Sequence, residues 1–280
     1  MSEPENPTHD QMEALFVNNA GLIRIKAYLN RFNPIRIMKM ERMEIRHSAI
    51  LAWLLDPAET HGFDDAFLKA FLGEALRGTS TERKPTALDI SQSNLRDAEI
   101  YREWQDIDIF ISSPSNNWAF IIENKFDSTQ RKGQLSGYIE KAKKHFKDNE
   151  TPPAIRGIFL TLQAENPADE NYASIRYSAI CEILPRLMNE HANQLAHEVK
   201  TFLNHYVEVI LDATGMSKDL AEMKELARQL YREHKKVLDF VVQNGALSDF
   251  AVAARALFGD SPETFATTTI GNQKFVFGLG

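Results

Sequence analysis

Cysteine is almost missing from this chain: Cys181 stands alone among 280 residues. That excludes a disulfide framework and any cysteine-rich zinc site. Long apolar runs are missing too. The longest, Ala49 to Leu55, has seven residues, against the roughly 20 that a membrane helix needs. There is no excess of positive charge. With 39 acids against 32 bases the formal net charge is -7, so a polyanion partner has to be met by a local patch rather than by the whole surface. No G-x-x-x-x-G-K-[ST] phosphate loop, G-x-S-x-G elbow or H-E-x-x-H helix occurs. The acidic, proline-broken start, Met-Ser-Glu-Pro-Glu-Asn-Pro, is not the pattern of a signal peptide. These absences lead us to expect a soluble, cytoplasmic protein without a membrane partner.

What is present is the composition of an ordinary globule: 43% hydrophobic, 25% charged and 10% aromatic. A chain of this length can bury a core unaided. Helical spacing predicts a helix over 11–29, ended by Asn33-Pro34, a second over 40–55 ended by Asp56-Pro57, and a third over 64–76. Residues 79–97 are polar and read as a loop. The period then shortens to that of strands over 98–104, 106–111 and 118–125, with a turn at Ser113 to Asn117. A helix over 129–147, a strand over 155–162 and an edge strand over 174–177 follow. From 179 to 242 the pattern is helical, with a break near Gly215. The end resembles a hairpin around Gly271-Asn272 and stops in mid-strand, as a truncated sequence would. The expected domains are an N-terminal helical segment (1–39), an α/β core (40–180) and a helical C-terminal region (181–280).

The informative stretch is Asp106-Ile-Asp-Ile-Phe-Ile, a turn, then Phe120-Ile-Ile-Glu-Asn-Lys. Glu123 and Lys125 are two apart on a strand and share a face, while Asn124 points away. A carboxylate and an ammonium at the end of an apolar strand are unfavourable unless paired or used. Fourteen residues separate Asp108 from Glu123, an interval that a hairpin closes. Asp106 and Asp108 alternate with apolar residues, so both are expected on one strand face, and that geometry does not choose between them. Two carboxylates and one cation suit a magnesium ion and a water nucleophile.

Asp108, the interval, and Glu123-Asn-Lys125 resemble the D-x(n)-(D/E)-x-K signature of the PD-(D/E)XK nuclease superfamily. The resemblance implies a restriction-endonuclease-like αβββαβ core with a mixed central sheet, here with added N-terminal helices and a helical C-terminal region. It also implies that Asp108 and Glu123 bind Mg²⁺ (or Mn²⁺) with the carbonyl of Asn124, and that Lys125 positions or activates the attacking water. Gln134-Leu-Ser-Gly-Tyr138 matches the Q-x-x-x-Y motif of RecB-like members, which helps hold the substrate strand. Glu44-Ile-Arg-His47-Ser48, Leu51-Ala-Trp-Leu-Leu-Asp-Pro and His61-Gly resemble a bacterial branch in which a helix acid, here Glu44, completes the metal site. The resemblance spans about Met40 to Tyr177. The proline of the motif's name is absent, Gln105 and Ile107 preceding the two aspartates.

Several of these residues have plainer readings. Glu123 and Lys125 form a simple salt bridge if the flanking motifs are ignored. His47 is an accessory ligand or a hydrogen-bonded structural histidine, and Tyr138 is explained as well by the core as by strand contact. From Lys125 to Lys147 there are seven bases against two acids. Arg131, Lys132, Lys141 and Lys144 are the expected phosphate contacts of that run. The reading is a Mg²⁺-dependent nuclease acting on DNA rather than RNA, as a monomer or homodimer, with phage defence among the roles open to it. The alternative is a catalytically silent member that binds nucleic acid or a partner protein.

Overall fold

The computed structural model describes residues 6–245, 265–270 and 273–278. In chain order its elements are α1 (His9–Phe16), α2 (Ala20–Leu29), α3 (Pro34–Ile37), α4 (Glu44–Leu55), α5 (Ala66–Ala75) and α6 (Ala87–Gln92). Next come β1 (Glu99–Trp104), β2 (Ile107–Ser113), β3 (Trp118–Lys125), α7 (Gln134–His145), β4 (Ala154–Thr161) and β5 (Tyr172–Arg176). The helices α8 (Tyr177–Glu190), α9 (His197–Thr214), α10 (Lys218–Glu233) and α11 (Lys235–Gly245) precede a hairpin of β6 (Phe265–Ile270) and β7 (Gln273–Gly278). The predicted turn at Gly271-Asn272 lies outside the described residues.

Contacts divide the chain into two units, Phe32–Leu220 and the pair of segments Met1–Arg31 and Ala221–Gly280. The first holds a five-stranded mixed sheet in sequential order, β1-β2-β3-β4-β5. Its first three strands are antiparallel, and β3, β4 and β5 run parallel. From α4 the order is three helices, three strands, a helix and two strands, which contains the expected helix, three strands, helix, strand series. In the second unit, Leu15, Leu230 and Val237 are buried, and Leu230 packs closely on Gly21.

Alternation along the central strands sorts the core into two layers. Ile109, Ile111, Phe120, Ile122, Ile158 and Leu160 face one way, in a cluster with residues of α4, α5, α8 and α9. Phe110, Ala119, Ile121 and Phe159 face the other, against Leu135, Ile139 and Ala142 of α7. Every residue of β3 after Trp118 is buried. That strand therefore has no solvated face, and its two charged residues enter the interior together.

Five local readings need correction. The helix expected over 11–29 is two, because Asn18 adopts a left-handed φ of 54° and Asn19 caps α2 by accepting from the Leu22 amide. The helix expected from Met40 starts at Glu44 instead. Residues 79–97 contain α6, opened by a capping box in which Thr86 and Asp89 satisfy each other's backbone amides. The fourth departure concerns the aspartates. Asp106 is not on the strand: Gln105 and Asp106, with φ of 52° and 69°, form the two-residue turn between β1 and β2. Finally, the helical stretch after 179 breaks at 191–196 as well as at Gly215, whose φ of 74° ends α9.

At the β4–β5 pair, Gly157 is where backbone meets ring. A Cβ there would stand 2.5 Å from the ring of Tyr172, whose hydroxyl donates to Leu135 O at 3.2 Å. The Tyr172 ring is thus tied to α7 and cannot easily give way. Gly157→Ala should destabilise the protein by about 1–3 kcal/mol through overpacking, read as a lower denaturant midpoint at unchanged slope.

Candidate active site

The parallel strands end together, and the site lies at that carboxyl edge, where β2 begins beside the end of β3. This is where ligands collect in open sheets with parallel strands. Asp108, second residue of β2, accepts from the Asn124 amide at 2.7 Å. Glu123 is 1% exposed. Its Oε1 lies 2.6 Å from Lys125 Nζ and accepts from Gln134 Nε2 at 2.7 Å. Glu44, the first residue of α4, brings a third carboxylate from the other layer. Its Oε2 accepts from the Phe126 amide and from Ser128 Oγ, each at 2.8 Å, and its Oε1 is 3.8 Å from Lys125 Nζ.

The electrostatics follow from crowding three acids and one base into a mostly dry site. Burial raises the Asp108 carboxyl above its ordinary range, and the Asn124 amide and Lys125 only partly offset this. Burial, followed by the charge of Asp108, raises Glu123 in the same way against the pull of Lys125. For Lys125 burial works toward the neutral form, but the Glu123 carboxylate outweighs it, so the ammonium is held charged.

One oxygen is left over. Glu123 Oε2 is buried without a hydrogen-bond partner, which is unfavourable for a carboxylate unless something electropositive reaches it. The chemistry of the set, hard carboxylate oxygens with a strand-end carbonyl, fits a divalent cation such as magnesium. Glu44, Asp108 and Glu123 do not draw their oxygens within 4.8 Å of one another. Such a grouping occurs among the described residues at His9, Asp10 and Glu13, all exposed on α1.

A model of the PD-(D/E)XK nuclease superfamily matches residues 29–236. The chain belongs to that superfamily. No curated protein and no solved structure matches it. The superfamily match extends past the predicted core and takes in α8, α9 and all of α10, so these helices after the sheet fall within the family's matched region. Its members are typically nucleases, with inactive ones among them.

For this superfamily member, the remaining predicted residues fall in four places. Gln134 and Tyr138 do share a face of α7. The Gln134 amide is turned inward, bridging Glu123 and the Tyr138 hydroxyl at 3.0 Å, and Tyr138 is buried in the α7 layer. Lys141 is spent on the β1–β2 turn, donating to Gln105 O and to Asp106 Oδ2 at 2.7 and 2.8 Å. That pairing also accounts for Asp106, which stands apart from the carboxylates. Arg131, Lys132 and Lys144 are exposed. His47 and the Asn124 side chain lie in the α4 layer: His47 is buried and stacks on Phe126 at 3.7 Å.

Other neighbours of the site had no sequence signal. An open pocket of about 380 Å³ adjoins Lys125, walled by Arg42, Ser128, Thr129, Thr161 and Gln163 among others. Gln130 ties the loop after β3 to the loop after β4, donating to Glu165 and Asn166 O and accepting from the Ala168 amide. The Ser128 contact to Glu44 spans 84 residues.

Because Glu123 binds its proton more tightly in the folded chain than in the unfolded one, it disfavours folding progressively as pH rises from 4.5 towards neutrality. Glu123→Gln keeps the shape without the charge. In EDTA the variant should gain on the wild type by at least about 1 kcal/mol between pH 5 and pH 8. Thermal melts at both values check this, and a constant difference would overturn the electrostatic account.

Proposed function

We propose that this chain is a divalent-metal-dependent nuclease that hydrolyses phosphodiester bonds of DNA, with residues 40–180 as its catalytic core. The observation that carries the reading is the convergence of Asp108, Glu123, Glu44 and Lys125 at one strand end, with a buried Glu123 oxygen left unpartnered. DNA is assigned on the resemblance to nucleases that carry a Q-x-x-x-Y helix after the E-x-K strand.

In this mechanism Asp108, Glu123 and the Asn124 carbonyl hold Mg²⁺ or Mn²⁺, with Glu44 as the fourth contributor. When bound, the metal lowers the pKa of water and offsets the charge that builds on the phosphate. Lys125, kept protonated by its carboxylate neighbours, acts as a cation: it orients the water by hydrogen bonding and stabilises the developing negative charge. Gln134 holds the Glu123 carboxylate in place from α7, and that role stands beside substrate contact for the motif. Arg131, Lys132 and Lys144 supply exposed positive charge for phosphates flanking the reacting one. Lys141 contributes through the turn it pins.

The test incubates linear duplex, circular duplex, single-stranded DNA and RNA with Mg²⁺, Mn²⁺ or EDTA. Cleavage of DNA should need metal. If metal binding supplies about 4 kcal/mol of transition-state stabilisation, Asp108→Asn should slow it by roughly a thousandfold. Full-speed cleavage by that variant would sink the assignment, as would activity in EDTA. DNA affinity should also fall steeply over a fourfold rise in salt. An affinity indifferent to salt would remove the flanking basic residues from the account.

A further inference from the structure

Behind the E-x-K strand lies a second polar cluster, on the face away from Glu123 and Lys125. Asn124 is fully buried there. Its Nδ2 donates to Ser48 Oγ at 2.9 Å and to Glu44 O at 3.3 Å, and its Oδ1 accepts from the Tyr177 hydroxyl at 2.8 Å. One turn away on α4, His47 Nδ1 is 3.3 Å from the Tyr206 hydroxyl and His47 Nε2 is 3.1 Å from Glu41 O. His47 stacks on Phe126 with the rings 12° from parallel. Phe126 in turn gives its amide to Glu44. Asn124, Ser48, Tyr177, His47 and Tyr206 are all buried. Tyr177 opens α8 and Tyr206 sits in α9, so two helices beyond the sheet reach the back of the site.

A dry cluster of this kind is unfavourable unless each member is satisfied, and satisfied it fixes one arrangement. Its three attachments meet what the site needs held. Asn124 fixes the end of β3, whose carbonyl and amide face the metal-binding side. Ser48 and the Glu44 carbonyl fix the start of α4. Phe126, clamped by His47, sets the Glu44 carboxylate. None of the cluster's side chains touches the reacting atoms.

We propose that Asn124, Tyr177 and Ser48, with His47 and Tyr206 beside them, are positioning residues. They lock α4 to the end of β3 so that Glu44 and the Asn124 carbonyl are preset for one divalent cation. The inference rests on the nuclease reading above. Outer partners of metal ligands carry about 10–100-fold of affinity in known sites.

The test uses the triple variant Asn124→Leu/Tyr177→Phe/Ser48→Ala in the full chain. It removes the hydrogen-bonding partners together and leaves no orphan among these three side chains, so its melting temperature should stay close to wild type. Calorimetric Mn²⁺ affinity of the metal-free protein should nevertheless drop at least tenfold. Tyr177→Phe alone is the milder probe and should weaken Mn²⁺ binding several-fold. An unchanged Mn²⁺ affinity in a folded triple variant overturns the inference and leaves the nuclease reading intact. Should the triple variant not fold, unchanged affinity in Tyr177→Phe overturns it equally. Wild-type protein that binds no Mn²⁺ overturns the nuclease reading, and the inference with it.

Discussion

The contact on which the rest of this molecule depends is the 2.6 Å pair between Glu123 and Lys125 at the end of β3. An ion pair in the interior does not justify itself energetically, since desolvation offsets most of its Coulombic gain. Here the strand is central, flanked by β2 and β4 and covered on both faces, so neither residue can turn to water. The fold responds by bringing compensation from elsewhere: Gln134 from α7 on one oxygen of Glu123, Glu44 from α4 near Lys125. What it does not compensate is the second oxygen of Glu123 and the proximity of Asp108. A structure assembled only for stability would have placed an apolar residue at 123. A raised, half-satisfied carboxylate retained there is what the proposed metal site would account for.

The antiparallel hairpin of β2 and β3 decides which residues can join that pair. Asp108 and Glu123 are brought together because the hairpin's register places the start of one strand beside the end of the other. The parallel arrangement of β3 and β4 then leaves the same edge open. Glu44 comes from a different layer and is not a matter of register. It reaches the site because α4 begins there, its first residue taking the amide of Phe126 just past the strand.

Much of this was legible in the sequence. The E-x-K strand ends where predicted, the intervening turn falls where predicted, and the family and αβββαβ core were readable from four short motifs in order. What was not legible has specific causes. Asp106 and Asp108 look equivalent in an alternating pattern, and only the left-handed pair at Gln105 and Asp106 separates them. The capping box of Thr86 and Asp89 was a local signal, obscured by the polarity of the residues around it. Tyr177, Tyr206 and Ser128 have no such signal, because each meets its partner across 53 to 159 residues. A polar side chain committed to a distant buried partner cannot be told from a surface one by periodicity.

The basic run after Lys125 shows how far charge counting carries. Its excess of seven bases over two acids suggests a uniform phosphate track, but the residues are not equivalent. Lys141 is held by the β1–β2 turn and Lys143 by Glu140, so both have already given much of their field to acids. Arg131, Lys132 and Lys144 retain theirs at the surface. Affinity for a polyanion scales with the charges that can displace counterions, not with the bases in a window. The effective charge facing a nucleic acid is therefore smaller than the sequence implies, and the nuclease we propose would depend on its metal site, rather than its surface, to hold the phosphate that reacts.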